Sequence, residues 1–328
     1  MKTMTRKKEN NPADLSSNNQ ENMPQTLSHA ELIAIAKEFG SPVYVYHAEK
    51  IKEQYEKLDK AFSGCRAQFF YACKALTNIN ILKYIHSLGA GLDCVSINEV
   101  KLGLKAGFPP DRILFTPNCV DFAEIEAGKD LGVNLNIDNI SILEQFGNKF
   151  GGSYPICIRF NPHIMGGGHY KMSTGHIDSK FGISVHQMRH IERIIKITGL
   201  HVTGIHMHTG SDIKDVNVFL AGLEIILEQA DHFPELKFID LGSGFKVPYH
   251  DEDVSTDVFD LGEKVSQAFQ KYSAEKSREL EVWFEPGKFL VSEAGYFITK
   301  CNVIKQTTAT VFVGVNSGFN HLIRPMMY

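Results

Sequence analysis

Eight apolar runs of strand length recur along the chain, at 68–72, 91–95, 113–116, 134–137, 156–160, 202–208, 238–241 and 282–285. Seven stretches with helical periodicity fill the gaps between them, at 79–88, 97–106, 122–131, 140–150, 185–198, 216–232 and 254–277. Runs this apolar read as strands buried on both faces. Strands that alternate with helices at this spacing pair in parallel through right-handed crossovers. Eight such units are the number that closes an α/β fold of the TIM-like (β/α)8 barrel type, with a doubly wound open sheet as the alternative. In a barrel the chemistry gathers at the C-terminal ends of the strands. Here those ends carry Lys74, Asp93 and Ser96, Asn118, Asp138 and Asn139, Arg159 and Asn161, His206 and His208, Gly242-Ser243-Gly244, and Glu285.

The flanks differ in character. Residues 1–27 are rich in Lys, Asn, Gln, Ser and Glu, with almost no large apolar residue. Such a composition buries too little surface to offset the entropy of ordering, so a disordered tail is expected. Ser28 is a plausible N-cap for a helix that stops at Gly40, and Ser41-Pro42 leads into the short strand 43–46. After Glu285-Pro286-Gly287 the pattern turns β-like over 289–299, and it continues so through 301–306 and 310–315. The expected organisation is a tail at 1–27, a lead-in at 28–47 partly belonging to a β domain, a barrel at 48–287 and the opening of a β-rich domain at 288–328. That last piece is small to stand alone, and the sequence reads as truncated.

Charge and composition narrow the function classes. A net charge of -4 leaves no electrostatic footprint for nucleic acid, and no basic amphipathic stretch suggests a membrane surface. No apolar run approaches the length of a membrane span, and none near Met1 resembles a signal peptide, so a cytoplasmic protein is expected. The six cysteines show no Cys-x-x-Cys spacing, which indicates neither a zinc site nor a disulfide framework.

Several rim residues have both a chemical and a bland reading. Lys74 ends the aromatic run Phe69-Phe70-Tyr71, and a desolvated ammonium there would lose its proton readily and act as an amine nucleophile; a solvated strand-end lysine is the alternative. Gly242-Ser243-Gly244 follows the seventh strand, where barrels commonly cradle a phosphate, or it is a plain glycine turn. Thr209-Gly210-Ser211 could serve the same phosphate. His206 and His208 face the same side of their strand. They suit a ring stacked on a cofactor, with the other histidine in support, better than a metal, because no acidic or cysteine set accompanies them at ligand spacing. Glu285 could pair with a protonated heterocyclic nitrogen or merely with a rim lysine. Gly166-Gly167-Gly168-His169 is either an active-site lid or a passive surface loop. Amine, phosphate cradle, imidazole and carboxylate together describe the needs of pyridoxal 5'-phosphate. The lysine would hold its aldehyde as a Schiff base, and the carboxylate would keep the pyridine nitrogen protonated so that the ring accepts electrons from a carbanion.

With these residues in place the chain resembles the barrel-type PLP enzymes of the alanine racemase and ornithine decarboxylase superfamily, and within it the diaminopimelate decarboxylase family. The stretches that carry the resemblance are Tyr71-Ala72-Cys73-Lys74-Ala75, Asp93-Cys94-Val95-Ser96-Ile97-Asn98-Glu99, Ser179-Lys180-Phe181-Gly182-Ile183, Gly204-Ile205-His206-Met207-His208-Thr209-Gly210-Ser211, 240–245, Glu285-Pro286-Gly287-Lys288 and 322–328. The resemblance implies Lys74 as the Schiff-base lysine, His208 stacked on the pyridine ring, Ser211, Gly242, Ser243 and Gly244 at the phosphate, and Glu285 at the pyridinium nitrogen, with Asp93 and Arg159 in support. It implies Lys288, Arg324 and Tyr328 as substrate contacts, and a homodimer with shared active sites. The implied reaction is decarboxylation of meso-2,6-diaminopimelate to L-lysine and carbon dioxide. Another barrel-type PLP amino acid decarboxylase, a non-catalytic PLP-binding protein and a cofactor-free Schiff-base aldolase are the alternatives. The chain departs from the family pattern at Ser243, where a third glycine is usual, and at Lys288, where arginine is usual; lysine keeps the charge and loses bidentate geometry. The family also continues with a Cys-Glu segment and a cofactor-touching tyrosine, neither present here.

Overall fold

The computed structural model describes residues 26–164, 179–250 and 252–324. The expected tail at 1–27 lies almost wholly outside the described residues, as do the glycine loop 166–169 and Tyr328. A first helix, α1 (His29–Phe39), is capped by Ser28 and Glu31 in a reciprocal capping box, and Gly40 ends it at φ +82°. Strand β1 (Val43–Tyr46) then leads to α2 (Ala48–Ala61).

The barrel strands follow: β2 (Ala67–Ala72), β3 (Gly91–Cys94), β4 (Ile113–Phe115), β5 (Asn134–Ile137), β6 (Ile156–Asn161), β8 (Val202–Met207), β9 (Phe238–Asp240) and β10 (Glu281–Phe284). Each pairs in parallel with the next, and β10 pairs with β2 through Val282 opposite Ala67, so the sheet closes. That closure rules out the open-sheet alternative. A two-residue strand, β7 (Ile183–Ser184), adds to the edge of β6. Helices α3 (Ile79–Ser87), α4 (Ile97–Ala106), α5 (Phe122–Asp130), α6 (Ile140–Phe150), α7 (Met188–Thr198), α8 (Val216–Ala230) and α9 (Val258–Lys276) join the strands.

Inside the barrel, Phe70, Leu114, Cys157, Phe238 and Trp283 form an apolar floor. The Phe238 and Trp283 rings stack at 3.5 Å between centroids and 6° between planes. Phe238 lies flat on β8, where a Cβ added to Gly204 would come within 2.1 Å of its ring, so only glycine fits there. The floor plugs one end of the barrel and leaves the other for polar groups.

Two elements differ from the sequence reading. The amphipathic helix α2 was not marked by the strand–helix alternation, since it precedes the first barrel strand; it buries Ile51, Gln54 and Leu58. The run from Phe289 is not a strand at first: Lys288–Val291 is a short helix, α10, and Ser292–Ala294 a 3-10 turn. Phe289, Leu290, Val291 and Ala294 are all buried, so the run shows no periodicity from which helix and strand could be told apart. Strand β11 (Gly295–Ile298) pairs antiparallel with β1, and β12 (Cys301–Gln306) with β13 (Val311–Val315) as a separate hairpin.

Candidate active site

The C-terminal strand ends converge on a cavity of about 260 Å³ lined by Lys74, His208, Ser211, Ser243, Gly244, Glu285 and Lys288. Larger grooves on the helical surface, such as one of about 480 Å³ between α8 and α9, gather surface side chains such as Glu228 and Lys276 rather than groups from the strand ends.

Lys74 sits in a single 3-10 turn after β2, its side chain 57% exposed at the mouth, with Nζ 3.9 Å from Asp93 Oδ2. Asp93 faces it from the end of β3 and is 1% exposed. His208 follows β8, and its Nδ1 accepts from the Ser243 N–H at 3.3 Å. Burial, reinforced by Arg159 and Lys74, holds this imidazole well below its usual range, so the ring is neutral with its proton on Nε2.

The turn after β9 is built around glycine. Gly242 has φ +62°, and its N–H donates to Asp240 Oδ1 at 2.8 Å. A Cβ at Gly242 would lie 2.6 Å from His208 Nδ1, and one at Gly244 would lie 2.1 Å from the Gly210 carbonyl. The two glycine loops therefore close on each other backbone to backbone, leaving Ser211, Ser243 and Gly244 on the cavity wall. The left-handed backbone falls on the glycines at either side, and Ser243 between them is not at positive φ.

Beneath the cavity lies a polar layer made of Asp93, Asn136, Arg159, His206, Asp240 and Glu285, all buried. The register sets His206 beside Arg159 on one side and Asp240 on the other. His206 Nε2 is 3.4 Å from Glu285 Oε2. Burial and then the Glu285 charge push the Asp93 carboxyl up to about 8, against the pull of Lys74. Burial also raises Glu285, opposed by Lys74 and Arg159, and raises Asp240 well above the usual carboxylate range, with Glu285 adding to the effect. The buried Arg159 guanidinium is pulled down by desolvation and supported by Glu285 and Asp138. Asp93 Oδ1, Asp240 Oδ2 and Glu285 Oε1 have no hydrogen-bond partner among the described protein groups.

Arg324 is exposed and does not line the cavity. Two features escaped the sequence reading. Lys288, expected to face substrate, is held by Asp212 at 2.6 Å; only the fold brings residues 76 positions apart together. His206, Asp240 and Glu285 each bring a donor atom within 4.8 Å of the others, an acidic set around a histidine that linear spacing did not reveal. The signal for Asp240 was present, a carboxylate at a strand end immediately before a glycine turn.

These residues fit a cofactor that carries an aldehyde, an anionic phosphate and a basic ring nitrogen. The amine at the mouth, the glycine cradle that rejects a Cβ and the orphaned Glu285 oxygen supply one partner for each.

The family model described as "Pyridoxal-dependent decarboxylase, pyridoxal binding domain" matches residues 48–292. The chain is 36% identical over 310 residues to the diaminopimelate decarboxylase of Methanothermobacter thermautotrophicus, covering 92% of this chain and 72% of that protein. It is 31% identical over 306 residues to the diaminopimelate decarboxylase of Escherichia coli K12, covering 92% and 71%. Among solved structures, it is similar to diaminopimelate decarboxylase from Helicobacter pylori complexed with L-lysine, with a TM-score of 0.80 at 30% identity, covering 92% of this chain and 76% of that one.

Proposed function

The chain belongs to the pyridoxal-dependent decarboxylases, alongside the diaminopimelate decarboxylases, and from that premise we propose that it converts meso-2,6-diaminopimelate to L-lysine and carbon dioxide in lysine biosynthesis. One observation carries the reading: Lys74, His208, the serine and glycine loops and Glu285 share a single cavity at the strand ends.

Bound pyridoxal 5'-phosphate supplies a carbonyl that captures the substrate amine and a protonated ring that takes up the electron pair released when the carboxylate departs. Lys74 would hold the carbonyl carbon, and its exposed side chain has room to leave and return. Asp93 Oδ2 faces the lysine at 3.9 Å beside the mouth. Neutral His208 would present a flat face to the ring without placing a positive charge beside a protonated heterocycle. Ser211, Gly242, Ser243 and Gly244 would hold the phosphate, and Glu285 the ring nitrogen, with Arg159 supporting Glu285 from below. Lys288, Arg324 and Tyr328 are assigned to the substrate, Lys288 by leaving Asp212 for a substrate carboxylate.

We further infer that the protein is cytoplasmic and works as a homodimer with shared active sites, its barrel spanning 48–287 and a β domain beginning at 288. Six free cysteines support a reducing compartment. Among the described residues no helix is long and apolar enough to cross a membrane. The exposed apolar side chains of the β12–β13 hairpin, among them Ile304, Phe312 and Val313, support an interface between copies.

The test is borohydride reduction of the protein mixed with pyridoxal 5'-phosphate, followed by mass mapping and a carbon dioxide release assay with meso-diaminopimelate. An adduct at Lys74 and release from this substrate are expected. A folded protein with no adduct would overturn the reading.

A further inference from the structure

Asp240 has no assigned part in the site, yet it is fully buried between the two loops that matter most. Its Oδ1 takes the Gly242 N–H at 2.8 Å, and its Oδ2 is buried without a hydrogen-bond partner. Glu285 Oε1 is likewise buried and unpartnered, and the donor atoms of Asp240, Glu285 and His206 lie within 4.8 Å of one another. Glu285 is tied to the same turn through its backbone, its N–H donating to the Gly242 carbonyl at 2.8 Å.

We propose that Asp240 is a positioning residue: it carries a proton on Oδ2 that it donates to Glu285, and so fixes the Glu285 carboxylate while Oδ1 fixes the glycine turn. This deepens the functional reading above, on which Glu285 meets the ring nitrogen of the cofactor. Two buried carboxyls this close hold one negative charge between them. The groups facing Asp240 decide which keeps it. His206 from β8 is neutral, and Cys157 from β6 is a buried thiol. Asp93 from β3 is a second acid acting on Asp240. The cations Lys74 and Arg159 act foremost on Glu285. The charge therefore rests on Glu285 and the proton on Asp240. A single side chain then links the phosphate cradle to the ring-nitrogen carboxylate, so that both subsites keep one spacing.

Three variants separate this role from that of a turn cap. Asp240→Asn keeps an acceptor for Gly242 and a fixed donor toward Glu285; Asp240→Ser keeps an acceptor for the turn but does not reach Glu285; Asp240→Ala has neither. Asp240→Asn is expected to bind pyridoxal 5'-phosphate within about threefold of wild type. Asp240→Ser and Asp240→Ala should bind it at least about tenfold more weakly, because a buried charge loses its donor. The visible band of the bound cofactor should shift its pH midpoint by about one unit in those two alone. Wild-type behaviour of Asp240→Ser would reduce Asp240 to a turn cap and overturn the proposal, as would an Asp240→Asn that fails like Asp240→Ala.

A cofactor-free measurement stands beside these. Infrared spectra of the protein at neutral pH should show a protonated-carboxyl C=O stretch that persists in Asp93→Asn, where the Asp93 carboxyl no longer contributes, and vanishes when Asp240→Asn is combined with it. Its absence from Asp93→Asn would overturn the proposal even if every Asp240 variant failed to fold, and in that case its presence there supports it. Should wild type form no adduct at Lys74, the functional reading fails while the infrared result still judges the carboxyl pair.

Discussion

Asp93 is the residue at which burial and chemistry conflict most measurably. Its folded carboxyl is pushed up to about 8 by desolvation and by Glu285, above its ordinary value of 3.8. Between those two pH values the folded state binds a proton that the unfolded chain has released, so stability falls as pH rises through this window. Asp93→Asn is expected to melt close to wild type near the low end and progressively above it toward the high end, in cofactor-free protein followed by thermal unfolding. Equal melting shifts at both ends would show that Asp93 stays ionised. At Gly242, alanine would meet a left-handed backbone, costing about 1–2 kcal/mol, and a Cβ at 2.6 Å from His208 Nδ1. Gly242→Ala should therefore lower the melting temperature and weaken pyridoxal 5'-phosphate binding together, as read by thermal melts and a spectroscopic titration.

At the level of elements, the site depends on a short helix that has little stability of its own. Helix α10 spans only Lys288–Val291, and it is held by Gln54 of α2, whose buried amide donates to the Phe289 carbonyl at 3.1 Å and to Glu293 at 2.8 Å. Gln54→Leu fills similar space and leaves that carbonyl unpaired, a cost of about 1–3 kcal/mol. We expect reduced stability in denaturant melts and faster amide exchange over 288–294, because Lys288 is carried by the loosened element. Unchanged exchange there would mean that apolar packing of Phe289 and Leu290 alone holds α10.

At the level of the whole molecule, the barrel and the hairpin are stabilised unequally. The barrel is covered by helices all round, whereas β12 and β13 expose Val303, Ile304, Val311, Phe312 and Val313. A two-stranded hairpin is marginal by itself. Ile304 and Val313 face each other across the pair, so Ile304→Lys with Val313→Glu would preserve the hairpin with opposite charges while removing apolar surface. In sedimentation velocity the double variant should shift toward the monomer relative to wild type. An unchanged distribution would place the contact between copies elsewhere.

The barrel was legible in the sequence because a strand buried on both faces must be an apolar run, and run length with helical spacing survives in one dimension. Lys74, His208 and Glu285 were legible for the same reason, since a charge or imidazole ending such a run must lie at a rim. Closure was decided only by tertiary structure, through the pairing of Val282 with Ala67. So were the helical start of the segment from Lys288, the capture of Lys288 by Asp212, and the meeting of His206, Asp240 and Glu285. Periodicity along a chain reports which face of an element is buried. Which side chains from separate strands meet depends on register between strands, and that is set by the packing of the whole barrel.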